Sequence, residues 1–398
     1  MREVDVCVVG AGPVGGTLAC LLAQSGVRTA IVDRAALPPM EHPAFDGRAY
    51  AIAAGSRAVM QSAGVWDRLP FAPGPIRDIR VSDGKLGRAA SRLHLHFDVN
   101  DIGADAFGWM VEARSLRVAL NGLMHAQANL DLFAPAVASV TRHEDRAEIA
   151  IAGGETLAAR LVVAADGRGS TLRAEAGIAV THLPYDQVGI VCTIAHALPH
   201  HGVALEHFLP AGPFALLPMA GTAEEPNISA IVWTERTAMA AHIMQLDEAR
   251  FVRELVRRLG SYLGEVRLLT GRWSYPLKAL LVQRYTAPRL ALIGDAAHGI
   301  HPIAGQGLNL GFRDVGCLGA LIAEAVASGE DPGGPDLLRR YQAVRRPDNM
   351  MMLAATDSLD RLFSNDVPPL RLARDLGIAA VNRIGPLRRA FMRQAMGG

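Results

Sequence analysis

Apolar runs of strand length recur along this chain, and several stop abruptly at glycine and an acid. Residues 5–9 (DVCVV) form a β-branched run that passes straight into Gly10-Ala11-Gly12-Pro13-Val14-Gly15. Leu18, Leu21 and Leu22 then recur at helical spacing, and residues 28–32 predict the next strand, closed by Asp33. Residues 161–164 predict another strand, followed by Ala165-Asp166-Gly167-Arg168-Gly169-Ser170 and a helix start at Thr171-Leu172-Arg173. Residues 290–293 repeat the arrangement. That run ends in Gly294-Asp295, Pro302 breaks the backbone, and Gly305-Gln306-Gly307 opens a helix.

Between residues 183 and 270 the pattern changes. Residues 189–194, 204–209, 214–219 and 228–233 are short strand-like runs at close spacing, which predicts a largely antiparallel sheet. Residues 247–259 predict an amphipathic helix with Phe251, Leu255, Val256 and Leu259 on one side. Residues 79–95, with Gly84 and Gly87 as turn residues, add a hairpin to the sheet. The expected fold class is therefore α/β, with a discontinuous first domain at 1–75, 96–182 and 270–345. A second domain occupies 76–95 and 183–269, and a C-terminal helical region runs from 346 to 398.

Composition narrows the class. A chain of 398 residues can bury a large core, and with 50% hydrophobic residues it is not disordered. A net charge of +1 gives no general affinity for nucleic acid. The N-terminus shows no basic segment followed by a long apolar one, and no apolar run reaches the ~20 residues of a membrane span. Cys7, Cys20, Cys192 and Cys317 are scattered without a C-x-x-C pair, which predicts reduced, buried thiols in a cytoplasmic protein.

The strand ends carry the candidate chemistry. In the G-x-G-x-x-G at Gly10, Gly12 and Gly15, the first glycine permits a tight turn. The second lets a pyrophosphate approach the backbone, and the third lets helix and strand pack closely. Asp33, about 20 residues on, is placed for a ribose hydroxyl or stands as a surface strand-end acid. Asp295 reads as an acceptor for a cofactor hydroxyl or as a helix cap. His298 and His301 lie three apart, with no third ligand in their loop beyond Asp295, so no metal site is expected. His94, His96, His200 and His201 read as solvated strand or turn residues. Ser170 is not in a G-x-S-x-G elbow, so a hydrolase lacks its nucleophile.

In this order and spacing, the three motifs resemble those of the FAD-dependent aromatic hydroxylases, flavoprotein monooxygenases built like p-hydroxybenzoate hydroxylase. Residues 46–52 (DGRAYAI), 111–114 (VEAR), 346–350 (RPDNM) and 359–365 (LDRLFSN) resemble the ubiquinone-biosynthesis branch of that family. The resemblance implies a discontinuous Rossmann-like FAD domain, a mostly antiparallel substrate sheet and C-terminal helices. It implies non-covalent FAD held by Gly10, Ala11, Gly12, Pro13, Gly15, Asp33 and Arg34 at the first motif. Asp166, Gly294, Asp295, Pro302, Gly305, Gln306, Gly307 and Asn309 would hold it at the other two. Arg48 and Arg114 would contact the flavin or its phosphates, unless they are ordinary solvated arginines. Phe214, Leu216 and Pro218 would line a substrate cavity, with core packing as the other reading of that stripe.

The implied reaction hydroxylates a polyprenylated phenol with O2 through a flavin C4a-hydroperoxide. The reductant is NAD(P)H or a protein electron donor, since the one dinucleotide fingerprint is taken by FAD. No catalytic residue is assigned, including the base that would deprotonate the phenol. A hydroxylase of small soluble aromatics and a flavin-dependent isoprenoid reductase are the alternatives. In residues 370–396, Arg371, Arg374, Arg383, Arg388, Arg389 and Arg393 face a single acid, Asp375. Such a tail suits an anionic inner-membrane surface or a biosynthetic complex, or packs as terminal helices; the two are not exclusive.

Overall fold

The computed structural model describes residues 1–38, 47–84, 95–300 and 305–363, together with residues 385, 389, 392, 393 and 396. Its first sheet has five parallel strands in the order Leu130–Phe133, Thr29–Val32, Arg2–Val9, Thr156–Ala164, Leu290–Leu292. The near-continuous apolar runs follow from this arrangement, because helices cover a parallel sheet on both faces. Val6, Val8, Ile31, Leu161 and Val163 are buried with Leu18 and Leu22 of the helix Pro13–Gln24. Ala147–Ile151 and Ala138–Arg142 extend the sheet in antiparallel fashion.

Two helices cross tightly above this core. A Cβ on Gly311 would lie 2.5 Å from a Val14 methyl carbon, and one on Gly319 would lie 2.7 Å from a Leu21 methyl carbon. Only glycine lets Gln306–Ala327 approach Pro13–Gln24 this closely.

The second sheet has nine strands, in the order Leu95–Asp98, Asp78–Asp83, Val203–Leu209, Gly212–Pro218, Ile228–Arg236, Val180–His196, Trp273–Val282, His298–Gly299, with Val266–Leu268 paired to Val180–His196. Pairing is antiparallel except between Asp78–Asp83 and Val203–Leu209. Val180–His196 and Trp273–Val282 both belong to this sheet, so its limits do not coincide with residues 182 and 270. Thr237–Gln245 and Glu248–Leu259 cover one face. In the second of these helices Phe251, Leu255 and Leu259 are buried as their spacing requires, whereas Val256 is exposed. A three-stranded sheet not foreseen in the sequence, Ala49–Ala53, Gly108–Glu112 and Gly74–Ile76, lies against the other face.

No disulfide joins the cysteines, and burial pushes the Cys7, Cys20 and Cys192 thiols up to about 12. Among the described residues, no helix is long and apolar enough to cross a membrane. Of the C-terminal tail, Met392 is fully buried beside Ile76, Phe97 and Met110, and the Met396 carbonyl accepts a 2.8 Å hydrogen bond from Gly55 N–H. Arg389 and Arg393 are exposed, while Arg371, Arg374, Asp375, Arg383 and Arg388 lie outside the described residues.

Candidate cofactor and substrate site

Strand register brings the three motifs to one edge. Val9 pairs with Ala164, and Ala164 pairs with Leu292, so all three loops leave the parallel sheet from the same row. Ala165 N–H donates to the Val9 carbonyl at 2.8 Å, and Ile293 N–H to the Ala164 carbonyl at 3.0 Å. A Cβ on Gly10, which has φ +105°, would lie 2.4 Å from the Ala165 carbonyl oxygen. One on Gly15 would lie 2.0 Å from the Gly10 carbonyl oxygen. These two glycines exist for packing. Gly12 differs, because a Cβ there would meet nothing within 4 Å. Gly12 is also the N-cap of Pro13–Gln24 and makes no side-chain cap bond, so the unpaired N–H groups and positive dipole end face open space.

Asp33 closes this cradle. Its Oδ2 accepts from Ala11 N–H at 2.6 Å and its Oδ1 from Ala35 N–H at 2.7 Å, with Arg34 exposed beside it. Asp166 Oδ2 accepts from Thr171 N–H at 2.9 Å and helps Ser170 cap the short helix Thr171–Glu175. Asp166 Oδ1 is buried without a hydrogen-bond partner among the described residues. Asp295 caps no helix; its carboxylate accepts from Arg168 Nε at 3.0 Å, and both side chains are about half exposed (47% and 52%). Gly294 packs on Val14. Gly305, with φ +62°, forms a second N-cap without a side-chain cap bond, and Gln306 and Gly307 open that helix.

Asn309 is buried and uses its amide to hold this helix start. Its Oδ1 accepts from Ala53 N–H at 2.9 Å, and its Nδ2 donates to the Ala51 and Gly305 carbonyls at 2.9 and 3.2 Å. These bonds set the backbone around Gly305. Arg48 and Arg114 are brought together across 66 positions, since Arg48 O accepts from Ala113 N–H at 2.9 Å. The Arg114 guanidinium donates to Glu112 at 2.6 Å and lies 4.4 Å from the Phe71 ring centroid. Pro302, Asp46, His94 and His301 lie outside the described residues.

Sequence reasoning missed the polar network behind the third loop. Asp314 is fully buried, and its Oδ2 accepts from Gly294 N–H at 3.0 Å and bonds His298 Nε2 at 2.6 Å. Its Oδ1 accepts from Arg345 Nε at 2.8 Å. Burial works against the charge, but the His298 ring and the Arg345 guanidinium hold the carboxyl below the usual carboxylate range. Asn349 links Arg345 to the Tyr285 hydroxyl at 3.0 and 3.1 Å, and the Tyr341 hydroxyl donates to the Leu292 carbonyl at 2.8 Å. The available signal was a lone acid in the apolar stripe of residues 308–322 (LNLGFRDVGCLGALI). His298 is thus hydrogen-bonded to Asp314, and no group of three metal-ligating side chains occurs among the described residues.

The stripe Phe214, Leu216 and Pro218, expected to line a substrate cavity or to pack as core, has these surroundings in the fold. Phe214 and Leu216 are fully buried beneath the two covering helices, with Trp233 and Phe251 as neighbours. Pro218 ends the strand with its carbonyl against Gly74. Alternation along a strand sends neighbouring residues to the opposite face. That face packs Leu217, Ala204 and Ala230 against Ala49, Ala51 and Met110, next to the Gly305 helix start. A lateral row of direct cross-strand partners crosses it: Val81, Glu206, Ala215, Val232, Val191 and Trp273. The Trp273 ring reaches Gly47, where a Cβ would lie 2.4 Å away.

The FAD binding domain family model matches residues 3–356. The chain belongs to this family. It is 47% identical over 397 residues to the ubiquinone hydroxylase UbiL of Rhodospirillum rubrum, covering 100% of this chain and 90% of that one. It is 34% identical over 399 residues to the 3-demethoxyubiquinol 3-hydroxylase of Escherichia coli, covering 100% and 99%. It shares its fold with p-nitrophenol 4-monooxygenase PnpA from Pseudomonas putida DLL-E4, at a TM-score of 0.77, 19% identity and coverage of 100% and 99%. The site fits FAD on its own geometry. Gly12 leaves an open cradle, two uncapped helix starts offer N–H groups to anionic atoms, and Asp166 Oδ1 is a buried acceptor awaiting a donor.

Proposed function

We propose that this chain is an FAD-dependent monooxygenase that hydroxylates the aromatic ring of a polyprenylated phenol in ubiquinone biosynthesis. The observation that carries the reading is an apolar sheet face beside the cofactor motifs, in a chain 47% identical throughout to a ubiquinone hydroxylase. The Gly12 helix start would hold the pyrophosphate and Asp33 a ribose hydroxyl. The Gly305 helix start would hold negative charge on the flavin ring. Bound FAD supplies O2 activation, with NAD(P)H as the electron source. The chain's own part is to exclude water and to orient the phenol: Val191, Val232 and Leu217 give it a half-buried apolar surface.

The test is to incubate the FAD-loaded protein with NADPH, 18O2 and a prenylated phenol, and to analyse the product by mass spectrometry. Incorporation of one labelled oxygen into the ring is expected. Reduction of the flavin without ring oxygenation, or reduction of the prenyl chain, overturns the reading. Exposed Arg389 and Arg393 further support attachment to an anionic membrane surface. Sedimentation with anionic liposomes at low salt, reversed by added salt, tests that attachment, and failure to sediment removes it.

A further inference from the structure

The face of the nine-stranded sheet that looks toward the cofactor loops carries one carboxylate in an otherwise apolar row. Glu206 has Ala215 on one side and Val81 on the other as direct cross-strand partners. Along its own strand, Ala204 packs with Ile76, Phe97 and Met110, and Phe208 lies against Phe363 at 4.3 Å between ring centroids. The Glu206 side chain is half-buried and makes no hydrogen bond or ion pair among the described residues. It caps no helix. A carboxylate in apolar surroundings without a partner costs stability, so the fold gains nothing from it.

We propose that the Glu206 carboxylate accepts the phenolic proton of the aromatic substrate as its ring is hydroxylated, an assignment that rests on the function proposed above. The phenolic O–H bond breaks, and its electron pair stays on the oxygen and enriches the ring. A new O–H bond forms on Glu206, which later releases the proton to water. Nothing is oxidised or reduced in this step. Electron density on the ring is what an electrophilic oxygen donor requires, and the general base acts as charge develops.

The surroundings suit a base that works near neutrality. Burial alone pushes the Glu206 carboxyl up to about 7. Gly212–Pro218 carries no titratable residue. On the same face, Asp83 lies two positions along the neighbouring strand, and Arg236 lies four positions beyond Val232. The helix ending at Phe363 brings Asp357 and Arg361, which pair with each other at 2.8 Å. None of these contributes to the shift.

The test follows ring hydroxylation of a prenylated phenol by the FAD-loaded protein in rapid-mixing experiments from pH 5.5 to 9. Wild type should lose rate about tenfold per pH unit below about 7, as Glu206 protonates. Glu206→Gln should be about 100-fold slower at pH 8 and lose that acid limb. Glu206→Asp should restore the limb at a reduced rate, which a purely structural role would not produce. Hydroxylation by Glu206→Gln within threefold of wild type, or with the limb retained, overturns the assignment. If that variant does not fold, a wild-type profile flat across pH 7 overturns it equally. Absence of any ring oxygenation by wild type instead brings down the proposed function, so the two failures are distinguishable.

Discussion

Around Gly10 the molecule works with its backbone, whereas on the antiparallel sheet it works with the direction of its side chains. At the loops, backbone groups approach closely because residues 10 and 15 have no Cβ, and the space at residue 12 stays open. On the sheet, adjacent residues of one strand serve unrelated purposes: Leu216 belongs to the core under two helices, and Leu217 to the face near the cofactor loops. A backbone site tolerates no added atom at its contact points. A side-chain site tolerates many, provided they point the right way.

A pair of glycine variants separates the two regions most strongly. Gly15→Val puts carbon against the Gly10 carbonyl and should yield no folded protein. Gly12→Val meets open space, so it should fold with the wild-type circular dichroism spectrum while purifying colourless, without FAD. Yellow Gly12→Val protein would show that the cradle lies elsewhere.

A second pair acts on the sheet. Leu216→Ala should lower stability by about 2–5 kcal/mol in urea unfolding, the range for a buried leucine. Leu217→Ala should cost clearly less and instead weaken binding of a prenylated phenol, read from the flavin absorbance change. Equal stability losses with unchanged phenol binding would erase the distinction between the two faces.

The smallest effect concerns Glu206. Its folded carboxyl is raised from 4.5 to about 7. Below pH 4.5 both folded and unfolded chains hold the proton and no penalty arises. Between 4.5 and about 7 the unfolded chain releases it more readily, so stability falls as pH rises and then levels off. The melting temperature of Glu206→Gln should therefore match wild type at pH 4.5 and exceed it at pH 8. A constant difference across that range would mean the carboxyl is better solvated than its apolar row implies.

This division explains what the sequence made legible. Backbone sites write themselves into the chain as glycines at fixed offsets, and Gly10, Gly12, Gly15 and Gly294 lie at the edge where their spacing put them. Asp33 was readable for the same reason. The facing of Phe214 and Leu216 was not, because a strand buried on both sides has no polar alternation to reveal which side is which. Asp314 and Arg345 escaped because Asp314 meets His298 across 16 residues, through the strand His298–Gly299, and Arg345 across 31, through the packing of two helices. Glu206 carries no signal of its own in the sequence; only register places it in an apolar row.

The ion pair behind the third loop also sets a timetable for biosynthesis. The glycine cradle's own residues are all made once Asp33 is translated, but Arg345, which neutralises Asp314, is translated 312 residues later. At about 5–20 residues per second, roughly 15–60 s separate the two. A nascent chain lacking Arg345 would have to bury Asp314 with only His298 beside it, so the Gly294 loop cannot settle. Flavin loading should therefore wait for finished chains: one stalled at residue 340 should stay empty, as measured by FAD fluorescence on purified ribosome complexes, although it already carries all three glycine motifs.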